Sequence, residues 1–570
     1  MQEYLIRHEQ RGKYAYILKD GRARIMLETG RGDCNSVSIC YYDKYGLNNI
    51  PGFKLNKVKM EYYGSGRFND YYVVEVMPER RRLHYYFELH FKGGEVMNYD
   101  ASGLNSIDKD IINEFSLFAI PYMNLEDAID VPSWANDAIV YQIFPDSFYN
   151  PDGMNLAGLK DENGRRFLGG SLKGIKGKLP YLKDLGINTI YLTPIFKANT
   201  PHRYDTIDYM EIDERLGSKA DFKALVDEIH KNKMRIILDG VFNHTSSSFF
   251  AFSDIVKNQK KSKYLDWYYI EGFPVINKKE RAKSLNYDTF SFGYDMPKLR
   301  VSNNEVKEYI FSVLKYWTVE FNIDGWRLDV ANEISLAFWR EFRVFMKSLN
   351  KDILLIGESW NDSSIYLNGD TFDTVMNYLF RDYIFSLFKS TDALDIRINR
   401  FIALYTELTI KYPNPSFMAL FNLISSHDVS RLYDELKDIR IIKAIVAMLF
   451  TMSGVPYIYY GDEVALKNDP IYYNRGAIDF NSLNLDMLGY YRRLIEIRRD
   501  NSALRNGRIS FNNKNEGVLE YKKINNDNEI IVIINLSSVA YTPYIKDEIL
   551  YKSSKDNTLN QYDLMIVRKK

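Results

Sequence analysis

The chain has 570 residues, too many for one ordinary core, and that length suggests roughly three to four domains. Its 75 Lys and Arg cancel 75 Asp and Glu, so there is no basic field to attract nucleic acid and no polybasic run to hold an anionic membrane. Hydrophobic residues at 46% and charged residues at 26% give the balance of a soluble globular protein whose partner is uncharged or small.

The opening stretch, MQEYLIRHEQRGKYAY, lacks the apolar core of a signal peptide, which reads as a cytoplasmic chain. Cys34 and Cys40 form no CxxC pattern and read as two reduced structural thiols. From residue 1 to about 125 the chain is made of short alternating runs, such as YYVVEVMP and LHYYFELHF, separated by Gly, Asn and Asp clusters. That pattern predicts an N-terminal β-sandwich. Tyrosine is abundant at 45 residues, but aromatics are standard strand residues, so the count alone does not argue for sugar stacking. The stretch MNLEDAIDVPSW reads as the linker out of the sandwich.

The rhythm then changes. Eight short apolar runs (AIVYQIFP, INTIYLTP, RIILDG, DGWRLD, DILLIGE, DTVMNY, NLISSHD and PYIYYGDE) alternate with helix-length segments such as SKADFKALVDEIHKNKM and NNEVKEYIFSVLKYWTVEF. This predicts an α/β fold, a (β/α)8 barrel over residues 126–503. A longer irregular segment at 245–300 reads as a subdomain inserted after the third strand. The apolar stretch IIKAIVAMLFTMSGVPYIYY contains Lys443 and is broken by Gly454 and Pro456, so it reads as a core helix followed by a strand, not a membrane span. After the last helix, LDMLGYYRRLIEIRRD, strand-like runs resume and predict a small C-terminal β domain over 504–570.

In such barrels active sites lie at the C-terminal ends of the strands. Polar residues collect there: Asp239, Asn243 and His244 after the third strand, Arg327 and Asp329 at the fourth, Glu358 at the fifth, His427 and Asp428 at the seventh. Strand two leads into PHRYDT, with His202, Tyr204 and Asp205. A lone Asp after a strand is usually a helix N-cap, but carboxylates from several strand ends converging on one mouth are not. Arg327 and Asp329 are two apart and point to the same face. Two carboxyl groups suit retaining glycoside hydrolysis, one as nucleophile and one as acid/base, with a third to stabilise positive charge. Arg327 is expected to keep Asp329 ionised, and Glu358, beside other negative charges, to hold a proton near neutral pH. His202, His244 and His427 fit no HExxH or paired-His spacing, so a metal site is the weaker reading.

DGVFNH (239–244), GWRLDVANE (325–333), GES (357–359) and SSHD (425–428) resemble, in order, the four signature segments of the α-amylase superfamily. MPKLR (296–300) and VANE are similar to the branch that contains cyclomaltodextrinases, neopullulanases and maltogenic amylases. The resemblance implies Asp329 as nucleophile, Glu358 as acid/base and Asp428 as transition-state stabiliser. It implies sugar contacts from His244, Arg327 and His427, a cleft wall of His202, Tyr204 and Asp205, and Tyr141 stacking under the sugar. Trp360 and Phe290 match aromatic aglycone-side positions, Asn332 and Glu333 the leaving-group side, and Asp469 with Arg475 the opposite end. Three positions depart from the pattern. Arg300 stands where Asn is usual, Ser359 replaces an apolar residue, and Ser171 in FLGGSLKG replaces a calcium-binding Asp. No cofactor is required on this reading, with at most a weak structural calcium at Asn150 and Asp152. The expected activity is hydrolysis of α-1,4 links in cyclic or short maltooligosaccharides, with α-1,6 cleavage and transglycosylation as further activities of the branch. The rivals are an exo-acting α-glucosidase on the same barrel and a non-catalytic sugar-binding barrel. The branch also implies a homodimer through the N-terminal domain, with carbohydrate binding as the alternative role; YYGSGRFNDYY and LHYYFELHF offer aromatic surface for either, although much of a half-buried sheet is expected to be core.

Overall fold

The computed structural model describes residues 3–45, 55–106, 114–276, 285–512 and 515–569. Two antiparallel sheets form the N-terminal sandwich. One has the order Ala15–Ile17, Ala23–Gly30, Asn69–Val76, Glu61–Ser65, and the other is built on Cys34–Tyr42 and Leu83–Phe91. Period-two burial along Leu83–Phe91 sends Leu83, Tyr85, Phe87, Leu89 and Phe91 into the core with Ile25, Leu27, Val37 and Ile39. LHYYFELHF therefore supplies mostly core, as expected of a half-buried sheet, with Tyr86 left partly exposed. In YYGSGRFNDYY, Tyr71 and Tyr72 are buried, while Tyr62 and Phe68 are exposed. Cys34 and Cys40 are buried free thiols.

The sandwich is docked on the barrel through its second face. Tyr14, Met26, Tyr71 and Val73 pack against Ile410 of the helix Leu394–Lys411, and Arg67 pairs with Glu407 of the same helix at 2.8 Å.

Eight parallel strands close into a barrel: Val140–Ile143, Thr189–Leu192, Arg235–Gly240, Gly325–Leu328, Leu354–Gly357, Thr374–Asn377, Phe421–Leu423 and Val455–Tyr459, the last pairing with the first. The strands are apolar on both faces because one face fills the barrel and the other meets the helices. Val140, Ile237, Leu354, Ile356, Phe421 and Leu423 belong to the interior cluster, whereas Tyr141, Ile143, Ile190 and Ile236 join the shell under the helices. The helices start where their sequences say. Ser218 and Asp221 form a capping box for Lys219–Lys231, and Asn303 caps Asn304–Glu320. The apolar stretch at 441–460 resolves into helix Ile439–Thr451 and strand Val455–Tyr459, and among the described residues no helix is long and apolar enough to cross a membrane.

Two features shape the barrel mouth. After the third strand, helix Phe250–Asn258 and short turns lead back through the bridge His244–Lys298, which brings MPKLR against DGVFNH. Residues 277–284 of the expected insertion lie outside the described residues. After the second strand a hairpin, Phe196–Ala198 with Thr206–Ile212, carries the PHRYDT loop. Its short irregular register left no alternation to read in the sequence.

A five-stranded antiparallel sheet closes the chain, in the order Arg508–Asn512, Val518–Ile524, Glu529–Asn535, Leu564–Lys569, Glu548–Lys552. It buries Lys523 completely against the segment before the last barrel strand, where Nζ donates to Ser453 Oγ at 2.5 Å.

Candidate active site

Arg327 ends the fourth strand fully buried, a position that a guanidinium occupies only when its charge is matched. Nη1 donates to Asp239 Oδ1 at 2.9 Å and to Asp329 Oδ1 at 2.7 Å, and Nη2 lies 2.9 Å from Glu358 Oε2. One fork thus gathers carboxylates from three neighbouring strand ends. Tyr191 and Tyr204 complete Asp239 by donating to its Oδ2 at 2.5 and 2.9 Å.

Backbone geometry sets the facing pair. Val330, directly after Asp329, adopts a left-handed conformation with φ 46°, which costs a β-branched residue free energy. That turn aims its amide at Glu358 Oε2, 3.0 Å away. On the other side a Cβ at Gly357 would fall 2.4 Å from the Phe372 ring, so only glycine lets the fifth strand deliver Glu358 here. Trp360 Nε1 donates to Glu358 Oε1 at 2.9 Å, and its half-exposed ring stacks on Tyr378 at 4.4 Å.

The electrostatics of this pair differ from the sequence expectation. Burial pushes Asp329 well above the usual carboxylate range, with Arg327 opposing and Glu358 adding to the rise. Burial also acts to raise Glu358, but Arg327, the Val330 amide and the Trp360 indole outweigh it, so the net direction is down. The two side chains interact directly, and a charge on Glu358 disfavours one on Asp329. Burial thus pushes Asp329 up while its donors hold Glu358 down, and the two titrate together. The reason is the number of donors: among the described residues three reach Glu358 and one, Arg327, reaches Asp329. Sequence proximity to Arg327 had suggested the reverse.

Asp428 completes the mouth. Burial, then Glu358, raises it to about 6. Its Oδ2 lies 3.0 Å from His427 Nε2, and Arg475 Nη2 is 3.8 Å from Oδ1. Burial holds His427 well below the ordinary imidazole value, and His202 and His244 at about 3, so all three rings are neutral. His244 stacks on Phe290 with centroids 4.8 Å apart.

These groups line one cleft of about 530 Å³ at the strand ends: His202, Tyr204, His244, Phe290, Asp329, Asn332, Glu333, Glu358, Trp360, Asp428 and Arg475, with Met296 and Val330. Arg327 and His427 stand directly behind it. Lys298 of MPKLR reaches Glu333 Oε2 at 3.1 Å and fixes it at the rim.

Three expected residues are elsewhere. Tyr141 is fully buried in the shell under the helices and donates to Glu463 at 2.8 Å, because strand alternation turns it away from the barrel axis. Its neighbour Gln142 faces inward instead, and an amide in an otherwise apolar strand was the available signal. Asp205 sits behind the cleft wall, accepting from the Thr200 hydroxyl and from the Asn199 amide at 3.2 Å. Asp469 caps its own loop by accepting from Ile471 and Tyr472 amides at 2.7 and 2.8 Å, leaving Arg475 alone at that end. Arg203, unremarked in the sequence, is fully buried with Nε 3.1 Å from Asp213 Oδ2. Turning inward, it leaves His202 and Tyr204 on the cleft. Arg300 also turns away, packing over Tyr269 at 4.8 Å.

Asn150, Asp152 and Ser171 do not fit a tight calcium site. Asn150 Nδ2 donates to Gly169 O at 2.8 Å, its Oδ1 accepts the Asp152 amide, and Ser171 Oγ caps helix Leu172–Gly177. A hard cation needs several converging oxygens, and only the exposed Asp152 supplies charge. No group of three His, Cys, Asp or Glu suited to a metal occurs among the described residues.

Residues 142–487 match the family described as alpha amylase, catalytic domain, and residues 1–124 match the alpha amylase N-terminal Ig-like domain. The chain belongs to the α-amylase family. It is 38% identical to a maltogenic alpha-amylase of Bacillus acidopullulyticus, with 94% of this chain and 92% of that one covered. Identity to a neopullulanase 2 of Thermoactinomyces vulgaris is 37%, over 93% and 90% of the two chains. A solved cyclomaltodextrinase superimposes with a TM-score of 0.89 at 33% identity, covering 100% of both chains. The protein is therefore a glycoside hydrolase with the (β/α)8 architecture of its family.

Proposed function

We propose that this enzyme hydrolyses α-1,4-glucosidic bonds in cyclomaltodextrins and short maltooligosaccharides with retention of configuration, and also acts on pullulan and starch. The observation that carries the reading is the carboxyl pair Asp329–Glu358, held by one guanidinium beside Asp428 at a closed barrel's mouth. Two carboxyls bound to one guanidinium are near neighbours, which favours the closely spaced pair of retaining enzymes over the wider one of inverting enzymes.

The chemistry divides by position. With the carboxyl proton on Glu358, Asp329 attacks the anomeric carbon as a carboxylate and Glu358 gives that proton to the leaving oxygen. Asp428, ionised, lies beside the developing positive charge. Glu358, now a carboxylate, takes a proton from the water that releases the glycosyl group from Asp329; a sugar hydroxyl in place of that water gives transglycosylation. His244, His427 and Arg475 offer donors to sugar hydroxyls, and Trp360 and Phe290 offer ring faces on the aglycone side. Carboxylates fill every role, so no metal enters the chemical step. The alternative exo-α-glucosidase is disfavoured by the full-length likeness to maltogenic amylases, cyclomaltodextrinases and neopullulanases.

Product analysis on β-cyclodextrin, pullulan and soluble starch tests the assignment. Ring opening followed by maltose and short oligosaccharides is expected, with cyclodextrin the preferred substrate; glucose as the sole product from every chain end overturns it. The sandwich performs no chemistry, and we assign it to homodimerisation, in which it covers the partner's barrel mouth and favours compact substrates. Exposed Tyr62 and Phe68 supply apolar contact on that domain. Sedimentation velocity at micromolar concentrations is expected to give a dimer, and a monomer throughout contradicts this.

A further inference from the structure

Gln142 lies in the first barrel strand with no exposed surface, and its Nε2 is 2.6 Å from His427 Nδ1. The proton positions around this contact can be worked out from the other side of the ring. His427 Nε2 is 3.0 Å from Asp428 Oδ2 and 2.6 Å from the Tyr204 hydroxyl. An ionised carboxylate only accepts, so that contact is attractive only if Nε2 carries the hydrogen. Burial, with Arg475, Arg327 and His202 nearby, keeps the ring neutral, and a neutral imidazole has one N–H. Nδ1 is therefore an acceptor, and the group facing it must donate. Gln142 donates through its amide nitrogen; turned the other way, its carbonyl would oppose a bare nitrogen. The rest of the network agrees. Tyr204 accepts from His427 and so gives its own hydrogen to Asp239, which also accepts from Tyr191 and Arg327. The one Nε2 hydrogen is shared between Asp428 and Tyr204, and Gln142 Oε1 is left without a partner among the described residues.

We propose that Gln142 is a positioning residue: by donating to Nδ1 it fixes His427 as the Nε2–H tautomer, the form able to donate to Asp428 and to a bound sugar hydroxyl. The catalytic consequence rests on the glycosidase reading of the cleft, whereas the tautomer does not. Asp428 is faced by Glu358, Arg327, Arg475 and Asp239, with Tyr378 and Tyr457 beside it, so loss of the His427 donor moves its titration against a fixed background.

The test combines ¹⁵N imidazole spectra of histidine-labelled protein with pH profiles. The His427 signal is assigned as the one missing from His427→Gln among the seven histidines. Wild type should show Nε2–H. Gln142→Leu should show both tautomers, lose about tenfold in kcat/KM, the worth of one hydrogen bond, and move the acid limb to higher pH. Gln142→Glu places a carboxylate on Nδ1 and should turn His427 into an imidazolium at neutral pH. A wild-type Nδ1–H ring overturns the proposal. So does a Leu variant with wild-type tautomer and pH profile, or a neutral His427 in the Glu variant if the Leu variant fails to fold. Inactivity on every α-glucan together with an Nε2–H ring would sink the functional reading and leave the tautomer standing.

Discussion

Arg327 is the residue on which the charges of the site balance, and its neighbours follow from that. It meets three carboxylates with one planar fork, which a lysine ammonium, a single point charge, cannot reproduce. Glu358, which faces the cleft beside Asp329, is assigned the proton transfer to the leaving oxygen. Glu358→Gln is therefore expected to cost about a thousandfold or more in kcat on maltooligosaccharides. It should cost far less in the glycosylation of activated aryl α-glucosides, whose leaving groups need no proton. Equal losses in pre-steady-state glycosylation of both substrates would remove Glu358 from that role. The pH dependence has a definite sign. Asp428, raised to about 6, is charged above that value and neutral below it. A neutral carboxyl cannot stabilise a cation, so kcat/KM should fall as pH drops through about 6. An acid limb that stays at the same pH in Asp428→Asn would contradict this. At this scale the sequence was informative about which groups meet, since Arg327, Asp329, Glu358 and Asp428 do share one cleft. It was silent on which carboxyl is the better solvated by donors, because the Val330 amide and the Trp360 indole reach Glu358 only through a left-handed turn and a rotamer.

Elements were legible where a period runs long enough to be read. Ser218 and Asp221 announce their helix, and the break at Gly454–Pro456 separates helix Ile439–Thr451 from the last strand. Four-residue strands are harder. In YQIF the alternation assigns Tyr141 and Gln142 to opposite faces, yet which face is the axis depends on partners hundreds of residues away, so Tyr141 was placed on the wrong side. The hairpin after strand two escaped for the same reason, its register being irregular between Phe196 and Ala198. Lys523 in the strand Val518–Ile524 is a further case, because period two does not reveal that the C-terminal sheet lays this residue against the barrel's closed end. Burial, then Arg498, depresses its amine well below the ordinary lysine value, and Arg498 itself falls to about 9. The unfolded chain then binds a proton that the folded chain refuses. Stability is penalised at neutral pH and recovers as pH rises toward the unfolded lysine value near ~10.4, by up to about 1.4 kcal/mol per pH unit. Lys523→Met, which keeps the stem and drops the amine, should raise Tm at neutral pH and flatten that alkaline gain. A lowered Tm with the slope intact would show that the Ser453 bond outweighs the burial cost.

The molecule as a whole places its chemistry at one end of the barrel and its appended sheets around the sides and base, an arrangement that separates activity from stability. The sandwich is locked to helix Leu394–Lys411 by the Tyr71–Ile410 packing and the Arg67–Glu407 pair, and Arg508 of the C-terminal sheet donates to Tyr62 and Tyr63 carbonyls at 2.9 and 3.0 Å. These contacts predict cooperative unfolding of all three parts. Because Asn150 and Ser171 spend their side-chain polar atoms on their own loops and Asp152 is left as a single exposed carboxylate, chelation by EDTA should leave the initial rate unchanged; rapid inactivation rescued by calcium would show that the loop rearranges to bind it. The central claim is that Asp329 becomes covalently glycosylated during turnover. It is tested most directly by reacting the enzyme with a 5-fluoro-α-glucosyl fluoride and mapping the adduct by peptide mass spectrometry. The account predicts one glycosyl group, on the peptide containing GWRLDVANE and specifically on Asp329. Glycosylation of Glu358 or Asp428 instead, or turnover that releases the β-anomer first with no adduct, would contradict it.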